Sequence, residues 1–254
     1  MKYKFDYTSG LWRVYVEPKS THIYVISGDS ASGLPGRNGS ASHVIDCNER
    51  EVVAVLDAVI SPDTLAVEME MAGYAYNLAL LAPEAYAHGV LLIYKLFTAN
   101  YPNLFKHEGQ FLSDGGAPAA SYGWKPTENN RNLCLSLLQS DVAEGVSKDP
   151  IIAKRALKNP DLQTVDQMNH FVRNAKGKVE AAYGHCDDLV MSLAIANAVS
   201  RQIEKTIPKP QDKKPKTIWE QWSGAKPKGG NDGKNDFFND PLFAPYEGIN
   251  ERTR

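Results

Sequence analysis

The first part of the chain alternates short β-branched runs with polar turns. Residues 21–28, 42–46 and 52–60 are such runs, separated by Gly, Asn and charged residues, and they predict three strands. The aromatic segment at 11–16 predicts an edge strand before them. Because the runs follow one another closely, we expect an antiparallel meander, in which the Gly- and Ser-rich residues 28–40 form a loop.

The middle of the chain changes to an alternation of helix and strand. Ser61 is a good N-cap and Pro62 a good first helical residue, so a helix is predicted to run to about Tyr76. The short apolar run at 78–82 predicts a buried parallel strand. A helix over about 85–100 follows. This alternation indicates an α/β protein, in which helices cover a sheet.

The remaining pattern is mostly helical. In chain order it predicts a loop or flexible hairpin at 109–126, a helix at 128–138 capped by Thr127, a short helix near 150–168, a hairpin of 169–173 with 179–182, and a last helix from about Asp187 to Glu204. After residue 207 Pro, Lys, Gly, Asn and Asp dominate. We therefore expect one domain at 1–206 and a flexible C-terminal tail at 207–254, whose aromatic side chains either dock a partner or pack back on the domain.

Composition narrows the function classes. The 254 residues are 43% hydrophobic and 23% charged, with a net charge of −2, so no general basic field marks a nucleic-acid binder. No run reaches the roughly 18 apolar residues of a membrane span, and residues 1–6 lack the apolar core of a signal peptide. The three cysteines, Cys47, Cys134 and Cys186, form no CxxC pattern. We expect a reduced, cytosolic protein that is neither secreted nor membrane-bound.

Acidic residues end or begin the apolar segments at three places. Asp29 follows the run at 23–28, Glu84 follows the run at 78–83, and the pair Asp187-Asp188 opens the run that starts at Leu189. Carboxylates at the ends of strands and helices can converge at one edge of a sheet, where hard oxygen ligands bind Mg²⁺ or Mn²⁺. Such a site is suited to the hydrolysis of a phosphodiester.

Each acid also has a purely structural interpretation. Asp29 could cap its own turn, and Glu84 could be a first-turn helix residue that the macrodipole favours. One of Asp187 and Asp188 is expected to cap the last helix, which leaves the other for a functional role. His185 and His88 are candidates to lie beside the site and to orient a phosphate, a water or a carboxylate. Lys125, Arg131, Lys176 and Lys178 are candidates for contacts with a DNA backbone, although most Lys and Arg side chains are simply solvated.

Four short motifs in this order resemble the nuclease domain of tailed-phage large terminase subunits. They are Tyr24-Val25-Ile26-Ser27-Gly28-Asp29-Ser30-Ala31-Ser32-Gly33, Leu81-Ala82-Pro83-Glu84-Ala85-Tyr86-Ala87-His88-Gly89, Tyr122-Gly123-Trp124-Lys125-Pro126-Thr127 with Asn130-Arg131, and Gly184-His185-Cys186-Asp187-Asp188-Leu189-Val190-Met191-Ser192-Leu193-Ala194. Each motif is weak alone, but four in the expected order over residues 10–204 are fairly specific.

The resemblance implies a fold, a reaction and a set of partners. It implies an RNase H-like mixed sheet flanked by helices, and cleavage of double-stranded DNA with two Mg²⁺ or Mn²⁺ ions during genome packaging. Asp29 would bridge the metals, Glu84 would be the second ligand, and Asp187 or Asp188 the third, with Asp188 slightly favoured. The expected partners are a packaging ATPase domain that is absent from this chain, the portal and the small terminase subunit, in the cytoplasm of an infected bacterium.

Two departures from the family leave rival hypotheses open. Where members often carry a further Asp, this chain has Asn38, and it has no GxxxxGK[ST] phosphate loop. A junction resolvase of the same fold class would prefer branched DNA. A non-catalytic assembly module would dock to the portal through its tail, and a carboxylate enzyme acting on sugars or other small molecules would need no metal.

Overall fold

The computed structural model describes residues 10–35, 38–107, 121–174 and 179–204. The elements in chain order are β1 (Trp12–Val14), β2 (Tyr24–Gly28), β3 (Ser40–Asp46), β4 (Glu51–Ala58), α1 (Pro62–Ala75), β5 (Leu80–Pro83), α2 (Gly89–Thr98), α3 (Glu128–Glu144), α4 (Pro150–Ala153), α5 (Leu162–Asn169), β6 (Phe171–Arg173), β7 (Val179–Ala181) and α6 (Asp188–Glu204). The predicted tail at 207–254 and most of the loop at 109–126 lie outside the described residues.

The central sheet has five strands in the order β1-β4-β3-β2-β5. Strands β2, β3 and β4 form the predicted antiparallel meander, and β1 pairs antiparallel with β4 at one edge. Strand β5 pairs parallel with β2, which makes the sheet mixed. Strands β6 and β7 form the separate hairpin that the sequence predicted.

Helices cover both faces of the sheet and close two apolar cores. One core joins Tyr24, Ile26 and Leu56 to side chains of α1 and α2. The other joins Val25 and Ile45 to α6, with α3 packed against α6. Alternate residues of β2 therefore point into different cores, and all five are buried, which explains why this strand reads as a continuous apolar run. Helix α6 is buried on all sides from Leu189 to Ser200.

Local signals account for the well-predicted helix starts. The Ser61 side chain accepts from the backbone N–H of Thr64, and Pro62 is the first residue of α1. Thr127 caps α3 in the same way through Asn130.

Of the helices in the described part of the chain, none is long and apolar enough to span a membrane.

Helix boundaries set by distant contacts were predicted wrongly. The helix expected over 85–100 begins only at Gly89, because the Ala85 N–H donates to the carbonyl of Trp124 at 2.7 Å. Helix α3 continues past the predicted end to Glu144. The expected helix near 150–168 is divided into α4 and α5 by the segment around Lys158, which pairs with the start of β4.

The extension of α3 is fixed by a buried aspartate. Asp141 is fully buried and pairs with Arg50 at 3.0 Å and with Arg201 of α6. The amide of Asn197 donates to the same carboxylate at 2.5 Å. A charge this deep in the fold is tolerated because it is paired and hydrogen-bonded, and it fastens α3 to α6 far from the acidic end of the sheet.

Candidate active site

Asp29 and Glu84 lie side by side because their strands are parallel neighbours. Gly28 of β2 is level with Pro83 of β5, so both chains leave the sheet at the same edge. The Glu84 N–H donates to the carbonyl of Gly28 at 2.8 Å, and the Asp29 backbone exchanges hydrogen bonds of 2.8 and 2.9 Å with Ala41. The backbone therefore holds both acids in register before any side-chain contact forms.

The loop around Trp124 supports Glu84 from its other side. The Trp124 N–H donates to the carbonyl of Pro83 at 2.7 Å. Two glycines make the close approach possible: a Cβ at Gly89 would collide with the carbonyl oxygen of Glu84, and one at Gly123, where φ is +87°, would lie 2.8 Å from the Pro83 carbonyl oxygen. Glu84 is thus fixed between β2, the Trp124 loop and the start of α2.

Asp187 and Asp188 enter the same edge from the start of α6. The carbonyl of Asp187 accepts the first helical hydrogen bond, from the Met191 N–H at 2.8 Å, so Asp187 is the capping residue and Asp188 the first helical residue. Asp188 is only 8% exposed. The positive end of the helix dipole lies next to both carboxylates and favours their charge.

Each aspartate of the pair has a different polar partner. Arg131, near the start of α3, donates from Nη2 to Asp187 Oδ2 at 2.9 Å. The Asn38 amide donates to Asp188 Oδ1 at a longer 3.4 Å. Asp187 is therefore the charge-compensated member, whereas Asp188 is buried against a neutral amide.

These residues line a cleft of about 750 Å³. Its walls are Asp29, Ser30, Ala31, Ser32, Leu34, Asn38, Gly39, Glu84, His88, Arg131, Asp187, Asp188 and Met191. The four acids that the sequence singled out therefore meet in one open depression at the sheet edge.

Burial and mutual repulsion perturb the acids strongly. Burial raises the pKa of Asp29 well above its usual value, and the charges of Glu84, Asp188 and Asp187 raise it further. Burial and the neighbouring charges of Asp187 and Asp57 raise the pKa of Asp188 to about 6. Burial raises the pKa of Glu84, while its interaction with Asp29 opposes that rise.

The donor set fits a hard divalent cation, although the ligands are not yet gathered around one point. Among the described residues, no group of three or more His, Cys, Asp or Glu stands ready to hold a metal ion. Arg131 and Asn38 occupy oxygens of Asp187 and Asp188. The donors are carboxylates together with the Ser30 hydroxyl, a buried oxygen without a hydrogen-bond partner. The carboxylates repel one another and so raise one another's pKa. A bound positive ion would relieve that repulsion.

Comparison with solved structures identifies the architecture. The large terminase nuclease from thermophilic phage G20c superposes with a TM-score of 0.52 and 18% identity, covering 77% of this chain and 91% of that one. The same nuclease with bound magnesium gives 0.52 and 17%, covering 77% and 90%. With bound cobalt it gives 0.51 and 18%, again covering 77% and 90%. Neither a family model nor a curated protein matches the chain by sequence.

The chain has the fold of a phage large terminase nuclease. The predicted resemblance and the RNase H-like sheet with flanking helices are confirmed at the level of the fold. In this terminase-nuclease fold the four acids occupy the end of the sheet at which β2 and β5 finish. The sequence identity is too low for residue roles to be transferred, so those roles rest on the geometry of this chain.

The remaining predicted residues are distributed unevenly around the cleft. His88 lines it and is exposed, whereas His185 stacks on His170, with 3.7 Å between ring centroids, outside the cleft lining. Lys125 is exposed, directly after Trp124. Lys176 and Lys178 lie outside the described residues. Their suggested contacts with DNA remain predictions.

Sequence reasoning missed Asp57 of β4. Asp29 pairs with Ala41, and Ala41 pairs with Asp57, so the two acids lie in one row across the sheet edge. The charge of Asp57 helps to raise the pKa of Asp188. Its position near the end of the predicted strand was the available signal, but only the pairing of β3 with β4 brings it to this edge.

Proposed function

We propose that this chain is a metal-dependent endonuclease that cleaves double-stranded DNA by two-metal hydrolysis of the phosphodiester. The observation that carries the proposal is the convergence of Asp29, Glu84, Asp187 and Asp188 in one cleft at the edge of a terminase-nuclease fold. Four carboxylates in such a cleft repel one another. An arrangement with this electrostatic cost is expected where a cationic ligand completes the site.

The proposed cofactors are two Mg²⁺ or Mn²⁺ ions. The donor set is made of oxygens, which those ions prefer, and the nuclease from phage G20c has been solved with magnesium and with cobalt. Such ions would supply activation of the attacking water and charge stabilisation for the departing 3′ oxygen. The carboxylates of this chain would hold both ions.

The geometry gives each acid a role in that proposal. The charges of the other three acids all raise the pKa of Asp29, and Asp29 and Glu84 would be among the residues that hold the ions. Asp187, which pairs with Arg131, and Asp188, which accepts from Asn38, would complete the set of ligands.

Arg131 would exchange partners when DNA enters the cleft. In the structure its Nη2 atom holds Asp187, while its Nη1 atom is buried without a hydrogen-bond partner. If Asp187 held a metal ion, the Arg131 guanidinium would be available to a phosphate oxygen. Lys125, Lys176 and Lys178 are proposed to contact the DNA backbone, so binding should weaken with salt.

The proposed biological setting is the packaging of a phage genome. There the nuclease would cut concatemeric DNA in the cytoplasm of the infected bacterium. It would work with a packaging ATPase domain, the portal and the small terminase subunit. The similarity in fold to the phage G20c nuclease supports this setting.

Cleavage of supercoiled plasmid tests the proposal directly. We expect linear or smeared product with Mn²⁺ or Mg²⁺, none with EDTA, and none from Asp29→Asn. Asp63→Asn is the matched control, because Asp63 is a surface acid paired with Lys95 away from the cleft, and it should cut normally. Metal-dependent cleavage that survives in Asp29→Asn would reject Asp29 as a ligand.

Two other results would favour one of the alternative functions. Preferential cutting of four-way junctions over linear duplex would favour a junction resolvase. No cleavage with either metal, from a chain that is shown to be folded, would favour a non-catalytic assembly module.

A further inference from the structure

A chain of buried polar side chains crosses the core beneath the acidic cleft. The Ser27 and Ser192 hydroxyls are 2.8 Å apart, and Ser192 Oγ is 3.1 Å from Nδ1 of His43. His43 Nε2 is 3.0 Å from the Thr164 hydroxyl, which donates to Asp161 Oδ2 at 2.6 Å. All five residues are at most 1% exposed. We refer to these five residues as the buried relay.

Asp161 anchors one end of the buried relay as a carboxylate. It accepts hydrogen bonds from Arg13 Nε at 2.8 Å, from Arg13 Nη2 at 3.1 Å and from the Tyr15 hydroxyl at 2.6 Å, besides the Thr164 hydroxyl and N–H. The hydrogen bonds from Arg13 and Thr164 outweigh burial and lower the pKa of Asp161. An ionised carboxylate can only accept, so it fixes the direction of every donor that follows.

The directions along the buried relay can be read outward from that anchor. The Thr164 hydroxyl donates its hydrogen bond to Asp161 and must accept from His43, so Nε2 of His43 carries the hydrogen. Burial lowers the pKa of His43 to about 3, and the neutral ring therefore accepts at Nδ1 from the Ser192 hydroxyl. Ser192 is left to accept from Ser27. Each hydrogen bond of the buried relay therefore joins one donor to one acceptor.

The far end of the buried relay reaches the two segments that carry the acids. Ser27 is two residues before Asp29, on β2. Ser192 is four residues after Asp188, one turn along α6 and on the same side of that helix. The 2.8 Å hydrogen bond between the two serines therefore joins the end of β2 to the first turn of α6 directly below the cleft.

We infer that the buried relay positions the carboxylates of the cleft, by fastening the end of β2 to the start of α6 in one fixed arrangement. The inference rests on the proposed metal-dependent function. The acids on these two segments repel one another, so a device that holds the segments together is needed there. Apolar contacts alone would allow sliding, whereas a fully satisfied directional network specifies one arrangement. His43 and Ser192 are thus positioning residues, which act through Asp29 and Asp188 and touch no substrate.

Two buried serines on α6 provide a matched test. Ser192→Ala removes the link to Ser27 and His43. Ser200→Ala deletes the same hydroxyl two turns further along, where Ser200 donates to the Asn197 carbonyl of its own helix and accepts from Arg50 Nη1 at 3.4 Å, away from the relay. We expect Ser192→Ala to raise the Mn²⁺ concentration for half-maximal plasmid cleavage by about tenfold, as losses around metal ligands do. The rate at saturating Mn²⁺ should stay within about twofold.

The Mn²⁺ titration is repeated without DNA, with thermal unfolding as the readout. The Mn²⁺-induced rise in melting temperature should shift to higher metal concentration in Ser192→Ala and stay unchanged in Ser200→Ala. If both variants kept the metal dependence of the wild type, the relay would only support the fold, and the positioning role would be overturned. An equal loss in both variants would also overturn it, because general destabilisation would then be the cause.

The tautomer of His43 tests the relay independently of metal. Nitrogen-15 NMR of the wild-type chain should show a proton on Nε2, with no titration between pH 5 and pH 8. A proton on Nδ1, or titration near pH 6.5, would overturn the relay. A wild-type chain that ignores Mn²⁺ in both assays would overturn the proposed function and the positioning role with it, while an Nε2 proton would still confirm the relay as a structural network.

Discussion

Arg131 Nη2 and Asp187 Oδ2 form the one ion pair of the described residues that lies within the cleft, at 2.9 Å. The pair joins the start of α3 to the start of α6. It leaves Asp187 compensated, while Asp29 and Asp188 keep raised pKa values. The cleft therefore holds one carboxylate with a charged partner and three, including Glu84, whose pKa values are raised by burial and neighbouring charges.

Removing Arg131 should destabilise the metal-free protein. Arg131→Ala leaves Asp187 unpaired among three other acids, and we expect a loss of about 0.5–1 kcal/mol in the free energy of unfolding, typical of a partly exposed pair. Urea unfolding in EDTA at low and at high salt measures the effect, which should shrink as salt screens the repulsion. The exposed pair Lys95–Asp63 supplies the control, Lys95→Ala, with a smaller effect. Equal losses in both variants would contradict a special role for Arg131.

Neutralising Asp188 should stabilise the fold while abolishing cleavage. The pKa of Asp188 is about 6 in the folded chain, above its usual value of 3.8. The protonated carboxyl therefore adds to the free energy of unfolding in full below pH 3.8, and this addition is lost as the pH rises through 6. At pH 8 Asp188→Asn should therefore be more stable than wild type by roughly 1–2 kcal/mol in EDTA. The difference should disappear toward pH 4.

Asp161→Asn is the opposite case and serves as the comparison. Asp161 is also a buried aspartate, but its charge is paired and hydrogen-bonded, and its pKa is lowered. Losing that charge should destabilise the fold by about 3 kcal/mol at pH 8. Thermal unfolding of the two variants over pH 4–8 separates a repelled carboxylate from an anchored one. Changes of the same sign would refute this distinction.

His43 should make the protein sensitive to acid. The unfolded chain binds a proton at His43 near pH 6.5, but the folded chain does so only near pH 3. The contribution of His43 is therefore complete above pH 6.5 and falls by up to about 1.4 kcal/mol per pH unit below it. Urea unfolding at steps from pH 7 to pH 4 should give a shallower slope for His43→Gln than for wild type. Parallel slopes would show that the ring is not held neutral.

Gly89 should be essential for the placement of Glu84. A Cβ at Gly89 would collide with the carbonyl oxygen of Glu84, so Gly89→Ala must displace that backbone. We expect a loss of about 1–3 kcal/mol in stability, with loss of cleavage. Gly145→Ala is the control, since its Cβ would lie 3.2 Å from the nearest atom and its φ is −64°. Plasmid cleavage and melting temperature measure both variants, and an active Gly89→Ala would contradict the close fit.

Sequence patterns predicted those parts of the fold that local chemistry decides. The strands at Tyr24–Gly28 and Leu80–Pro83 are short apolar runs, and Ser61 and Thr127 carry ordinary capping chemistry. The acids at the segment ends could be found for the same reason. Their convergence followed from one correct topological prediction, the parallel strand after the meander.

Features that depend on distant contacts could not be predicted from the local sequence. The start of α2 is delayed by pairing with Trp124, and Ala87 takes a φ of 45° that no propensity indicates. Asp57 is brought near Asp188 only by the pairing of β3 with β4. The hydrogen bond between Ser27 and Ser192 joins positions 165 residues apart, and two serines give no sequence signal of their partnership.

The parallel pairing of β2 with β5 also determines which kinds of genetic change the site tolerates. Side chains alternate between the faces of a strand, so adding or deleting one residue in β5 would send the carboxylate of Glu84 to the opposite face and shift it by about 3.3 Å. Substitutions inside either strand need only keep a side chain that fits one of the two cores. In these strands, length is therefore constrained more strictly than composition.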